Sequence, residues 1–226
     1  EPRLVVHYAS LDQDTSVFDV KEAYEDGDAD FHTIVAKMAD IPRSAAKTIN
    51  LGLFYGMGKA KLQAELGVSK DKAEELFSIY HNRVPFVKSL TKSVSNRAQQ
   101  RGQIRTLLGR LCRFHLWEPN TFGMHKALPF EQAVQEHGPG IKRAYTYKAL
   151  NKLIQGSAAD MTKKSMLDLY KEGIVAHIQI HDELDVSVES PEQAKKIVEI
   201  MENAVKLEIP NKVDYESGKN WGTIND

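Results

Sequence analysis

The amino-acid sequence predicts an α+β fold, a mostly helical lobe set into a smaller part with a small antiparallel β-sheet. Three observations lead there. Helical periodicity dominates from Phe31 to Arg101, a strand–turn–strand pattern surrounds His181-Asp182-Glu183, and charge divides the chain along similar lines. Residues 1–40 hold three Lys/Arg against ten Asp/Glu, and residues 41–113 hold fourteen against four. Residues 181–226 return to an acidic excess, five against eleven, so the net charge of the 226-residue chain is only −1. A basic middle between acidic ends reads either as a lysine-rich solvated surface or as a phosphate-binding face beside segments that can hold cations.

The helical block divides at its own signals. Phe31 to Ala39 is a short helix. Pro42 then stands where a first turn tolerates proline, and the pattern continues to about Gly56. Lys59–Leu66, Lys70–Tyr80 and Pro85–Arg101 follow, the last stopped by Gly102. Trp117 to Gly140 contains Pro119, Gly123, Gly138 and Pro139 and reads as an irregular excursion. A helix is expected over Ile141–Lys171.

Strand signals come late in the chain. Ile174 to Ile180 is rich in β-formers, and Leu184, Val186 and Val188 resume the alternation, leaving His181, Asp182 and Glu183 at a hairpin tip. Pro191–Leu207 is an amphipathic helix, and Lys212–Tyr215 is expected to close the sheet. On this reading the basic block is helical and the acidic ends carry the strands.

Composition excludes several classes. With 42% apolar and 27% charged residues the chain has the makeup of a globular domain. Cys112 is its only cysteine, so neither a disulfide framework nor a cysteine zinc cage is available. No apolar run reaches the roughly 18 residues of a membrane span, and no membrane partner is expected. A cytoplasmic setting, in a nucleoid or a phage-infected host cell, fits.

Three constellations carry chemistry. Arg43, Lys47, Leu51 and Tyr55 recur every fourth residue, an advance of about 40° per step around a helix, and so form one slowly turning stripe. Two cations one turn apart at a helix start suit a triphosphate. The same spacing also fits an exposed Arg/Lys pair above a buried edge. At the hairpin tip, Asp182 and Glu183 suit a hard divalent cation such as Mg²⁺, or make a simple polar turn. Asn151 and Gln155, one turn apart, can donate to minor-groove acceptors present on every base pair. The run Gly156-Ser157-Ala158-Ala159 after them permits close approach of another backbone, and a packed helix contact explains it equally.

In wording and order these segments resemble family A (DNA polymerase I-like) DNA polymerases. Arg43-Ser-Ala-Ala-Lys47-Thr-Ile-Asn50-Leu-Gly52-Leu-Phe-Tyr55-Gly56 is similar to motif B, Ile180-His181-Asp182-Glu183-Leu184 to motif C, and Asn151-Lys-Leu-Ile-Gln155-Gly-Ser-Ala-Ala-Asp160 to the duplex-contacting helix between them. Asp30-Phe-His32-Thr33 resembles the segment before motif B. Glu1-Pro2-Arg3 resembles the tail of motif A (Asp-x-Ser-Gln-x-Glu-x-Arg), and Val213 to Trp221 the family's C-terminal end. Arg105-Thr-Leu-Leu-Gly-Arg110 with Leu116-Trp-Glu-Pro119 resembles the phage-type members.

The resemblance implies a palm beginning in residues 1–24, fingers over 25–140 and further palm over 141–226. It implies deoxynucleotide addition to a primer 3′-hydroxyl by two-metal nucleotidyl transfer, with primer–template DNA and dNTPs as partners and two Mg²⁺ ions in the complete enzyme. Arg43, Lys47 and His32 would hold nucleotide phosphates, and Lys47 could protonate the departing pyrophosphate. Asp182 would bind metal, with Glu183 a secondary metal or primer-end contact and His181 near the primer terminus. Tyr55 would stack where the nascent pair forms, and Glu1 would exclude a 2′-hydroxyl. Asn151 and Gln155 would touch the DNA minor groove.

Two departures from the family pattern stand out. Leu51 replaces a usual Phe or Tyr facing the sugar. The motif A aspartate would lie five residues before Glu1, so the chain alone is expected to need an upstream polymerase fragment supplying that carboxylate and the thumb. A single-subunit RNA polymerase, a non-catalytic DNA-binding subunit left from a split polymerase, and a metal hydrolase built on the tip are the competing readings.

Overall fold

The computed structural model describes residues 1–26, 30–54, 59–121 and 123–223. Two helices open the chain, α1 (Pro2–Leu11) and α2 (Phe18–Glu25). The helical block follows as α3 (Phe31–Ala39), α4 (Arg43–Phe54), α5 (Lys59–Leu66), α6 (Lys70–Arg83) and α7 (Pro85–Arg101). Their starts fall where expected, though α6 runs on to Arg83 rather than Tyr80 and the expected end of α4 near Gly56 lies outside the described residues. Asp30 and Ser69 cap α3 and α6 with side-chain oxygens, and the Pro42 carbonyl accepts the first helical bond of α4. Pro85 opens α7, and Gly102 closes it at φ 68°. Gly102 is required twice over, because a Cβ there would meet the Arg143 guanidinium at 2.7 Å. That guanidinium donates to the Gln99 and Phe114 carbonyls and lies over the Trp117 ring.

Small antiparallel sheets complete the architecture, as expected of an α+β chain. Strands β1 (Gln103–Arg105) and β2 (Leu111–Arg113) form one hairpin, with Ile104 opposite Cys112. A three-stranded sheet has the order β4-β3-β5, from β3 (Leu116–Pro119), β4 (Leu128–Pro129) and β5 (Ile141–Arg143), with helix α8 (Phe130–His137) between β4 and β5. The long helix α9 (Ala149–Lys171) then leads to the hairpin of β6 (Ile178–Ile180) and β7 (Glu183–Asp185), and α10 (Pro191–Asn203) follows.

One continuous core joins α1, α3, α4, α6, α7 and α9. Phe31, Phe54, Tyr80, Phe86, Leu4, Ile49, Leu150 and Ile154 are its largest fully buried side chains, and burying each aliphatic or aromatic one stabilises the fold by about 1.5–3 kcal/mol. A second, smaller cluster of Leu169, Ile174 and Ile197 seats the β6–β7 hairpin through Leu184 and Val186. The hairpin that bears Asp182 is thus anchored on the far ends of α9 and α10. Among the described residues no helix is long and apolar enough to cross a membrane.

Six expectations need correction. The acidic N-terminal end is helical rather than stranded, and α1 is buried around most of its circumference by Leu4, Val5, Val6, His7 and Ala9. The excursion from Trp117 to Gly140 is ordered by pairing of Trp117 with Arg143 and Leu128, partners too distant in sequence for local patterning to show. The helix expected from Ile141 begins at Ala149, because residues 141–143 are held in that sheet and Tyr145 turns the chain at φ 62°. Lys212–Tyr215 forms no strand. The segment is pinned to the end of α10 instead, where Glu202 accepts the Val213 N–H and Asn211 donates to the Glu202 and Val205 carbonyls. The strand expected over Ile174–Ile180 pairs only from Ile178, and α10 ends at Asn203 rather than Leu207.

Candidate functional site

The site is built around Asp30. As N-cap of α3 its carboxylate accepts the backbone N–H groups of Thr33 at 3.1 Å and His32 at 3.4 Å, and the Thr33 hydroxyl at 2.7 Å. The same carboxylate accepts Arg43 Nε at 2.7 Å. Partial burial alone would raise the Asp30 pKa, but the hydrogen bonds from Thr33 and Arg43 and the guanidinium charge outweigh it and hold the carboxyl at about 2. Arg43 is thereby fixed through Nε, which leaves its outer nitrogens for a ligand. Lys47 stands one turn further along α4, exposed, and Leu51 is half-buried a turn beyond. Tyr55, the last member of the stripe, lies outside the described residues.

His32 faces the same group. Burial lowers its pKa, Asp30 opposes that shift, and the charges of Arg43 and Lys47 reinforce it. Its Nδ1 lies 3.0 Å from Asn50 Nδ2. Arg43, Lys47 and His32 therefore form a single cationic and donor-bearing ridge, with Asp30 at its foot.

Asp30 also lines a cleft of about 570 Å³, together with Glu1, Arg3, Asp182, Lys212 and Asp214. The structure thus brings Glu1, Asp30 and Asp182 around one space and hangs Arg43 from its rim. His181 and Glu183 are not among the residues lining that cleft.

The tip itself is tighter than expected. Ile180 pairs with Glu183, so only His181 and Asp182 form the turn and Glu183 is the first residue of β7. His181 adopts φ 52°, a region that costs a side-chain-bearing residue roughly 1 kcal/mol. Gln179 steadies the turn by donating to the His181 carbonyl at 2.5 Å. All three tip residues are exposed.

Asn151 and Gln155 lie on α9, half-buried and exposed respectively. Continuing their spacing, Ala158, Thr162 and Ser165 fall on the same stripe and line the cleft. A surface leading along α9 from Asn151 therefore ends in the cleft beside Asp182. The adjacent small residues serve packing. A Cβ on Gly156 would meet Thr106 Cγ2 at 2.6 Å, and Ser157 accepts the Leu107 N–H at 3.0 Å and bonds the Tyr8 hydroxyl at 2.7 Å. Asp160, 6% exposed, accepts the Leu108 N–H and pairs with Arg110. The packing reading of this segment is thus present on one face of α9, and Asn151 and Gln155 lie on another.

A hard divalent cation takes oxygen ligands, and Mg²⁺ is commonly held by one or two protein carboxylates plus phosphates of a ligand. Asp182 offers such a carboxylate at an exposed turn on the cleft wall. Among the described residues no three His, Cys, Asp or Glu side chains stand close enough to hold an ion by themselves. The donor set suits a cation shared with a ligand's own oxygens.

The double role of Asp30 is not apparent from its neighbours in sequence beyond an N-cap residue type standing just before an apolar helical run. Arg3, Lys212 and Asp214 were not expected at the site from local pattern, because the fold brings residues 210–214 back beside the start of α1; Arg3 donates to the Pro210 carbonyl at 2.6 Å.

The sequence profile of DNA polymerase family A matches residues 7–223. The chain belongs to DNA polymerase family A. A DNA-directed DNA polymerase of Pseudomonas phage M6 is 33% identical across 98% of this chain, and a DNA polymerase I of Bacillus caldotenax is 30% identical across 98%. The chain spans 37% and 24% of the lengths of those two relatives. Among solved structures, the POL domain of Pol1 from M. smegmatis, in complex with DNA primer-template and dNTP, shares the fold with a TM-score of 0.76 at 26% identity, over 100% of this chain and 39% of that one. The family A assignment agrees with the order of motifs along the chain.

Proposed function

We propose that this family A chain takes part in template-directed DNA synthesis, with the cleft between Asp182 and the Arg43–Lys47–His32 ridge as the place of nucleotidyl transfer. The observation that carries this reading is the position of Asp30, which lines the cleft with Asp182 and holds Arg43 at its edge. In this proposal residues 25–140 are the fingers, set between palm segments 1–24 and 141–226. The substrates are a primer–template and dNTPs.

Each residue has a role set by its chemistry. The outer nitrogens of Arg43 and the ammonium of Lys47 bind the triphosphate, with the positive end of α4 adding to their field. Lys47 is the one group of the ridge with a proton to give at Nζ as pyrophosphate departs. Glu1 occupies space beneath the sugar, which disfavours a 2′-hydroxyl. In this proposal Leu51 faces the sugar and Tyr55 stacks where the nascent pair forms. Asn151 and Gln155 test the shape of the duplex from the minor groove, and His181 and Glu183 flank the primer end. Mg²⁺, when bound at Asp182, supplies charge neutralisation at the phosphate oxygens and a lowered pKa for the attacking 3′-hydroxyl. In this proposal a polymerase segment outside this sequence supplies the second metal-binding carboxylate and the thumb, a reading supported by the similarity of Glu1-Pro2-Arg3 to the end of motif A.

Primer extension tests the proposal with the polymerase that contains this segment. Asp182→Asn should abolish extension while primer–template binding persists. Extension at the unaltered rate would reject the site. Binding of primer–template by a wild-type polymerase that never extends it would point instead to a DNA-binding subunit.

A further inference from the structure

Asn50 lies wholly inside the helical lobe, at 0% exposure, with both ends of its amide engaged. Tyr80, equally buried on α6, donates its hydroxyl to Asn50 Oδ1 at 2.5 Å. The amide nitrogen is thereby turned toward His32 Nδ1, 3.0 Å away. A carboxamide NH₂ only donates, so Nδ1 of His32 must present its lone pair and the ring proton must reside on Nε2.

Three elements are joined by this chain of contacts, α6 through Tyr80, α4 through Asn50 and the start of α3 through His32. A buried amide of this kind is costly unless both its polar ends are satisfied, and in the orientation found, with Oδ1 toward Tyr80 and Nδ2 toward His32, both are. We infer that Asn50, oriented by Tyr80, is a positioning residue that holds His32 as its Nε2–H tautomer, so that the ring offers a fixed hydrogen-bond donor to a nucleotide phosphate on the Arg43–Lys47 ridge. This rests on the nucleotide site proposed above. The other tautomer would turn a lone pair toward the anion.

The surroundings agree. Burial disfavours a charged imidazole here, and of the charged groups around it Asp30 opposes this while Arg43 and Lys47 add to it. The ring is also fixed in orientation by its edge contact with Phe31, at 6.1 Å between centroids and 80° between planes.

Nitrogen-15 NMR of the histidine rings tests the tautomer without reference to activity, in the same polymerase used for extension. The wild-type protein should show His32 with a bare Nδ1 and a protonated Nε2. Asn50→Asp replaces the donor by an acceptor of nearly equal shape, to which Tyr80 can still donate, and should move the proton to Nδ1. The KM for dNTP should then rise about tenfold, with kcat changed by less than about twofold, as loss of one hydrogen bond to a charged group implies. Tyr80→Phe frees the amide to rotate and should give a mixture of tautomers with a smaller rise in KM; it serves equally if Asn50→Asp folds poorly. A protonated Nδ1 in the wild-type protein, or an unmoved proton in both variants, overturns the inference. A moved proton with unchanged KM overturns the phosphate-facing role of His32, and with it that residue's place in the nucleotide site.

Discussion

Asp30 accepts Arg43 Nε at 2.7 Å with the same carboxylate that caps α3, so one side chain both starts a helix and fixes the cation at the mouth of the cleft. Its replacement should therefore act on stability and on nucleotide affinity together. Asp30→Ala should cost about 1 kcal/mol from the lost cap, read by chemical denaturation, and should raise the KM for dNTP through the released Arg43. A change in only one of the two would separate roles that the geometry joins.

The same carboxylate sets a pH dependence. Asp30 titrates at about 2 in the folded chain, against 3.8 for the unperturbed group. Stability from this depressed pKa is complete above about pH 4 and is lost as pH falls from there toward 2. The pair is well exposed, so the effect is modest. Melting curves between pH 2 and 7 should show the wild-type advantage over Asp30→Asn shrinking across that window; an advantage constant with pH would contradict the assignment.

Gly156 permits the seating of the 106–110 turn on α9. Gly156→Ala removes a helix-unfavourable glycine, a gain of about 1 kcal/mol. The new methyl would nevertheless meet Thr106 Cγ2 at 2.6 Å, and Thr106 is short, branched and 4% exposed, so it cannot swing aside. The clash should win, with a net loss of about 1–2 kcal/mol in urea denaturation. A more stable variant would show that the turn yields.

At the hairpin tip, His181 holds a positive φ that glycine adopts without penalty. His181→Gly should leave the fold as stable or up to about 1 kcal/mol more stable, while primer extension falls. Unimpaired extension would make the strained histidine a feature of the turn alone.

Leu51 is half-buried one turn beyond Lys47, where the family commonly has an aromatic residue. Leu51→Tyr introduces a hydroxyl able to replace polar contact missing from a nucleotide without a 3′-hydroxyl. The dideoxy-to-deoxy incorporation ratio should rise about tenfold, and by less in Leu51→Phe. Equal ratios in all three proteins would reject a role for Leu51 in sugar recognition.

Legibility in the sequence followed the range of the interactions involved. The starts of α3, α5, α6 and α7 were legible from helical periodicity and, for α7, from Pro85, all local signals, while the caps Asp30 and Ser69 had to be seen in the structure. The β6–β7 hairpin was visible because alternation reverses across a charged turn, though the Ile180–Glu183 pairing that moves Glu183 off the tip was not. Pairing of Trp117 with Arg143 joins residues far apart, so periodicity alone misjudged both segments. The candidate site showed the same limit. Arg43, Lys47 and Asp182 announced themselves by residue type and spacing, whereas the cleft that unites Glu1, Asp30 and Asp182 exists only once the chain ends have folded back.

Single-turnover incorporation of one dNTP, with Asp182→Asn, Lys47→Ala and their combination in the same polymerase, is the most direct test of a shared cleft. Groups that act on one transfer are far from additive, so the double variant should lose little more than Asp182→Asn alone, itself at least about a thousandfold slower than wild type. Losses that simply multiply, or a variant at Asp182 that incorporates at the normal rate, would mean that the ridge and the hairpin turn do not serve one reaction.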